Sequence, residues 1–244
     1  MQAIILAAGI GNRLGDEAGN KPKSMLEFNG KSLLQRHVEL LKRNGVNQVN
    51  LVVGYQSELI IEHLEDSSSD IRFIHNPRYT EGSLISLNCA RDIMLQESQY
   101  LIMDADVLYD EKILSRLIKT DIPNCLLIDR DFVPGDEPVK VCIDGRNHIV
   151  EFRKKVAPGL EFDKQGESVG FFKFDNVTSS CLVERIDTYL ARNENDTPYE
   201  EAIRDCILKD PGHFGYEDIT GLAWIEIDFP EDIMRARDEI LPNI

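Results

Sequence analysis

Basic charge is scarce in this chain. Across 244 residues, 27 lysines and arginines stand against 43 aspartates and glutamates, a net charge of −16. That balance argues against an electrostatic footprint for DNA, RNA or an anionic membrane, each of which needs a basic face. Cysteine is thin too: Cys89, Cys125, Cys142, Cys181 and Cys206 are odd in number, widely spaced and without a C-x-x-C pair. Neither a zinc site nor a disulfide framework is predicted, and a reducing, cytoplasmic setting fits. The longest early apolar run, "AIILAAGIG", is far too short to span a bilayer and lacks the basic lead-in of an export signal. No internal repeat is visible, and "DSSSD" at 66–70 is the one low-complexity tract, a loop. His37, His63, His75, His148 and His213 show no paired arrangement, so they read as core or surface residues.

What is there alternates. "AIILAA" (3–8) is a continuous apolar run of strand length, as expected of a strand covered on both faces. "SLLQRHVELLKRNG" (32–45) puts Leu33, Leu34, His37, Val38 and Leu41 on one helical face and stops at Gly45. Strands are predicted at 49–53, 71–75, 100–106 and 125–129, with helices at 57–64, 84–97 and 111–119. Such alternation gives parallel strands with helices on both sides. Beyond residue 130 the texture changes. "VKVCIDGRNHIVEFRK" alternates about Asp144-Gly145, a hairpin signal, and "SVGFFKF" (168–174) is a strand. Two helices follow, the second opened by a capping box of Thr197 and Glu200 with Pro198 at its first position. A strand at 222–228 and a helix at 230–240 close the chain. The expectation is one domain over 1–244, with a nucleotide-handling half (1–130) and a lid-like half (131–244).

Three cations interrupt the acidic background at the first bend. In "AIILAAGIGNRLGDEAGNKPKSML", Gly9 and Gly11 are followed by Arg13, Lys21 and Lys23. A dinucleotide turn needs G-x-G-x-x-G and an acid ending the second strand; here the third glycine is Gly15 and that strand ends "VVGYQ". The G-x-x-x-x-G-K-[ST] phosphate loop is absent as well. Two readings remain, a tight turn with solvated cations or a loop whose bared backbone N–H groups approach a triphosphate. Later, "MDADV" sets Asp104 and Asp106 on one face of a strand end, and "EIDFPED" repeats the spacing with Glu226 and Asp228. Paired acids at strand tips suit a Mg²⁺ ion that leaves room for phosphate oxygens, although Asp228 is also placed to cap the last helix.

"LAAGIGNRLG" followed by "KPK" resembles the L-x-x-G-x-G-x-R-L…P-K signature of the nucleoside-diphospho-sugar-pyrophosphorylase-like nucleotidyltransferases. The resemblance runs on through "NPRYTEGSLISL", "MDADVLYD" and "WIEIDFPED" in order, and is nearest to the small bacterial cytidylyltransferases acting on phosphocholine, 2-aminoethylphosphonate and related compounds. It implies an α/β, Rossmann-like mixed but mainly parallel sheet with helices on both faces, the GT-A-like nucleotidyltransferase fold, with a β-hairpin and helical lid insertion. It implies Arg13 and Lys23 as catalytic cations and Leu6, Ala7, Ala8, Gly9, Gly11, Asn12, Gly82, Ser83, Ser86 and Asp104 as further nucleotide contacts. Asp106 and Asp228 become Mg²⁺ ligands, the partners CTP and a small phosphonate or phosphoalcohol, and a homodimer a possible assembly. A metal-binding DxD glycosyltransferase would lack the "GxGxR…PK" corner, and a nucleotide-binding subunit without chemistry would not need both cations and all the acids.

The acceptor is less marked. Ser83 stands where phosphocholine relatives commonly carry asparagine, while "TEGS" and "GDE" (135–137) look more like the phosphonate-activating enzymes; phosphocholine and sugar 1-phosphates remain alternatives. Asp129, Arg130, Glu137, Lys140, Lys154, Trp224 and Glu226 follow the end of the parallel half and are candidate acceptor contacts. Tyr79, Phe171, Phe172 and Tyr199 offer aromatic faces to a quaternary ammonium, or belong to the core.

Overall fold

The computed structural model describes residues 1–11, 13–14, 21–65 and 70–244. The apolar run after Met1 forms β1 (Gln2–Ala7) in the middle of the sheet. It pairs in parallel with β4 (Val49–Val53) and β6 (Gln99–Asp104), and β4 pairs in parallel with β5 (Ile71–His75); the short β2 (Glu27–Phe28) and β3 (Lys31–Ser32) pair with each other outside this sheet. Being flanked on both edges and both faces, β1 reads as an unbroken apolar string. Beyond β6 the direction reverses at the long β11 (Lys164–Asp175), whose other edge holds β8 (Cys125–Asp129), itself parallel to β12 (Gly215–Asp218). The hairpin expected about Asp144-Gly145 is β9 (Lys140–Ile143) with β10 (Ile149–Arg153), and β9 joins the first residues of β11. Among the described residues the sheet has nine strands.

β11 serves two partners on one edge, β9 at Lys164–Glu167 and β6 at Phe171–Asp175, and between them lies Gly170 at φ +77°. A side chain there would sit 2.2 Å from Asp104 Oδ2, so glycine permits both the bend and the approach of that carboxylate.

Helices cover both faces. α1 (Leu33–Arg43), α2 (Ser57–His63) and α5 (Glu111–Lys119) pack on Ala3, Ile5, Leu51 and Met103. α3 (Ser83–Cys89), α4 (Arg91–Gln96), α6 (Asn176–Ala191) and α7 (Tyr199–Lys209) pack on Ile4, Val52, Ile102 and Phe172. α1 starts at a capping box in which Ser32 accepts from the Gln35 amide and Gln35 from the Ser32 amide. The single helix expected over 84–97 is two, parted at Ala90. The Thr197–Glu200 capping box does not form. α7 begins one residue later, without a side-chain cap of its own, and its Tyr199 amide donates to Ser83 Oγ instead.

A third core, of Leu14, Phe28, Leu33, Leu108, Ile225, Ile227 and Ile233, locks the first loop to the closing segment. There β7 (Val107–Tyr109) pairs antiparallel with β13 (Trp224–Glu226), and α8 (Pro230–Arg235) follows. Cys181 and Cys206 are joined as a disulfide between α6 and α7, 25 positions apart. The linear spacing carried no sign of it, because helix packing rather than sequence proximity aligns the two sulfurs. No described helix is long and apolar enough to cross a membrane.

Candidate active site

The carboxyl ends of β1 and β6 open into a cavity of about 440 Å³, roofed by the first loop, the start of α3 and the start of α7. Gly11, at φ +71°, lets the loop turn here; a Cβ on it would meet Lys23 Cγ at 2.4 Å, so the missing side chain is the channel through which the Lys23 stem passes.

Three acids converge on the tip of that lysine. Asp106 leads into β7, and its carbonyl accepts the Ile227 amide at 2.9 Å, while Val107 is paired with Glu226. This ribbon gathers Asp106, Glu226 and Asp228 so that each has a carboxylate oxygen within 4.8 Å of the others. Lys23 Nζ lies 2.8 Å from Asp106 and 2.7 Å from Asp228, and donates to the Ile227 carbonyl at 3.0 Å. Burial opposes the ammonium charge, but Asp106 and Asp228 outweigh it and hold Lys23 above its ordinary range. Arg13 reaches Asp228 at 3.0 Å and Glu137 at 2.8 Å and lies over the Phe229 ring. Asp228 does not cap α8: the Asp232 carboxylate takes the amides of Asp228 and Phe229, leaving Asp228 to the cations.

The surrounding protein, then Asp106 and Asp228, push the Glu226 carboxyl up to about 8, even though its side chain opens to the cavity. Like charges so close call for a cation. The hard oxygen donors present here fit a divalent ion such as Mg²⁺, with Lys23 bridging two of them. Asp104 stands behind this group. Burial and neighbouring acids raise its pKa, and Tyr199 Oη donates to it at 2.8 Å.

Leu6, Ala7, Ala8, Gly9, Gly11, Arg13, Lys23, Gly82, Ser83, Ser86, Asp104, Asp106, Lys154 and Glu226 all line this cavity; Asn12 lies outside the described residues. Other candidates are elsewhere. Lys140 is buried, its ammonium spent on the carbonyls of Gly135, Pro138 and Lys154, so it is a structural tie and no acceptor contact. Arg130 points to Asp218 on the surface, away from the cavity. Asp129 accepts from the Trp224 indole at 2.8 Å, and both line a neighbouring cavity of about 270 Å³ with Glu137 and Asp228. Phe171 and Phe172 are core. Tyr79, Tyr199 and Glu200 line the main cavity; in the sequence Glu200, at a helix start, reads as a cap.

The carboxyl ends of the strands are where open α/β sheets bind their ligands, and here a cavity lies beside two cations that meet a carboxylate trio. Residues 3–160 match the MobA-like NTP transferase domain, and the chain belongs to that family and is a nucleotidyltransferase. It is 37% identical to the choline-phosphate cytidylyltransferase of Streptococcus pneumoniae, over 100% of this chain and 99% of that one. It is 27% identical to the CMP-5′-(3-aminopropyl)phosphonate synthase of Streptomyces rubellomurinus over 97% of its own length, which spans only 38% of that protein. The inositol-1-phosphate CTP transferase of T. maritima shares the fold at a TM-score of 0.80 and 20% identity, over 99% and 95% of the two chains.

Proposed function

We propose that the protein is a Mg²⁺-dependent cytidylyltransferase that joins CMP from CTP to a small phosphonate or phosphoalcohol. The observation carrying this reading is the meeting of Arg13 and Lys23 with Asp106 and Asp228 at 2.7–3.0 Å, beside a cavity that Arg13, Lys23 and Asp106 line. The relatives named for choline phosphate and aminopropylphosphonate support the class of acceptor.

Both reactants are anions, so the obstacle is repulsion rather than a lack of nucleophile. A phosphate monoester loses its second proton near pH 6, and its oxygen attacks without a protein base. The new bond forms between that oxygen and the α-phosphorus; the bond to the β-phosphate breaks, and its electron pair leaves on pyrophosphate. Arg13 and Lys23 neutralise the charge that gathers there, and Lys154, an exposed cation lining the same cavity, draws in the acceptor's phosphate or phosphonate. Asp106, Asp228 and Glu226 would hold Mg²⁺, which supplies a Lewis acid for the α-phosphate when bound. Glu137 now bridges Arg13 and Lys154 at 2.8 and 3.1 Å, and substrate phosphates would replace it on both.

Pyrophosphate release, measured with CTP, UTP, ATP and GTP against 2-aminoethylphosphonate, phosphocholine, 2-hydroxyethylphosphonate and glucose 1-phosphate, tests the assignment. Turnover should require CTP and a phosphonate or phosphoalcohol. Turnover with glucose 1-phosphate alone would overturn it.

A further inference from the structure

The charges on the main cavity wall nearly all have a counterpart. Lys23 is held by Asp106 and Asp228, Arg13 by Asp228 and Glu137, and Lys154 by Glu137. Asp104 accepts the Tyr199 hydroxyl, and Glu226 belongs with the acids that suit a divalent ion. Glu200 stands apart. It lines the same cavity in the first turn of α7, and its Oε2 is shut off from solvent without a hydrogen-bond partner. Its neighbour Glu201 is tied to Arg153 by two hydrogen bonds, so anchoring α7 does not fall to Glu200. Nor does Glu200 cap the helix, which has no side-chain cap; its carboxylate meets its own backbone amide, and Oε2 is left without a partner.

A buried carboxylate oxygen without a partner is costly unless something arrives to meet it. The incoming anions do not. A triphosphate faces Arg13, Lys23 and the divalent ion, and an acceptor phosphate faces Lys154, which leaves one negative charge over. Burial pushes the Glu200 carboxyl above its usual range, with its own backbone amide and Lys154 pulling the other way. A neutral hydroxyl would satisfy the oxygen but not the charge.

We infer that Glu200 is the counter-ion for a cationic group on the acceptor, so that this enzyme selects zwitterionic acceptors, an ammonium at one end and a phosphate or phosphonate at the other, over neutral ones. The inference rests on the cytidylyltransferase reading above and adds to it the recognition of the acceptor's far end.

Steady-state turnover by wild type and Glu200→Gln tests it, with 2-aminoethylphosphonate and with propylphosphonate, in which a methyl replaces the ammonium. Wild type should prefer the ammonium compound. Glu200→Gln should lower kcat/KM for that compound by about 30-fold or more, as expected when a buried charge pair loses one member, while propylphosphonate and the KM for CTP stay unchanged. Equal losses on both acceptors, an undiminished rate with the ammonium compound, or a wild type indifferent between the two would overturn the role of Glu200. CTP turnover that survives in those cases keeps the cytidylyltransferase reading intact. A wild type that releases no pyrophosphate from CTP with any acceptor sinks that reading first, and this inference with it.

Discussion

In the proposed reaction Lys23 holds several roles. Its ammonium keeps Asp106 and Asp228 together at 2.8 and 2.7 Å before any substrate arrives, and the same charge is what a departing pyrophosphate requires. Lys23→Ala should therefore lower turnover by about 10²–10³, or about 3–4 kcal/mol of barrier, the usual loss of one such donor. The far-ultraviolet circular dichroism spectrum should be unchanged, because no core contact depends on the ammonium. A variant turning over at the wild-type rate would remove Lys23 from the chemistry. Glycines and cations crowding a single bend mark Lys23 in the sequence, and the structure sets it against Asp106 and Asp228. Glu200 carries no such mark: in sequence, an acid three residues after a threonine at a helix start is a capping box, and only the structure shows an uncapped α7 with Glu200 in the cavity lining. Lys140 and Arg130 misled for a related reason. Charge in sequence says nothing of whether three carbonyls or a surface aspartate has already claimed it.

At the scale of elements, β4, β5, β8 and α5 begin and end where local signals place them, and β1 lies one residue earlier than the apolar run at 3–8, since buried apolar runs and side-chain caps act over a few residues. β11 does not. It runs from Lys164 to Asp175, longer than the apolar alternation at 168–174, because β9 recruits its polar first residues from outside. Its bend at Gly170 admits the Asp104 carboxylate. Gly170→Ala should destabilise the fold by about 2 kcal/mol or more, combining left-handed backbone strain with the lost Asp104 approach. Gly159, also at positive φ but with nothing within 4 Å of a would-be Cβ, should cost only about 1 kcal/mol on the same change. Urea denaturation of the two variants compares them directly, and equal losses would mean that the Asp104 contact adds nothing.

For the molecule as a whole, the organising feature is that distant stretches meet at one place. Leu14 from the first loop, Leu108 from β7 and Ile225, Ile227 and Ile233 from the closing segment share a small core. That core sets Arg13 against Asp228, far apart in sequence, and the β7–β13 ribbon completes the acid trio. The sheet and its helices were readable from alternation, but the ribbon was not, since its strands span only Val107–Tyr109 and Trp224–Glu226 and form because the third core brings them together. If this convergence is the active centre, CTP binding and divalent-ion binding are linked through the same carboxylates. The direct measurement is calorimetric titration of CTP into wild type and Asp106→Ala, each with and without Mg²⁺. Wild type should bind CTP more tightly with Mg²⁺, and Asp106→Ala should lose that gain by at least about tenfold, the smaller end of what disturbing a metal site costs. A Mg²⁺ enhancement equal in the two proteins would contradict the account.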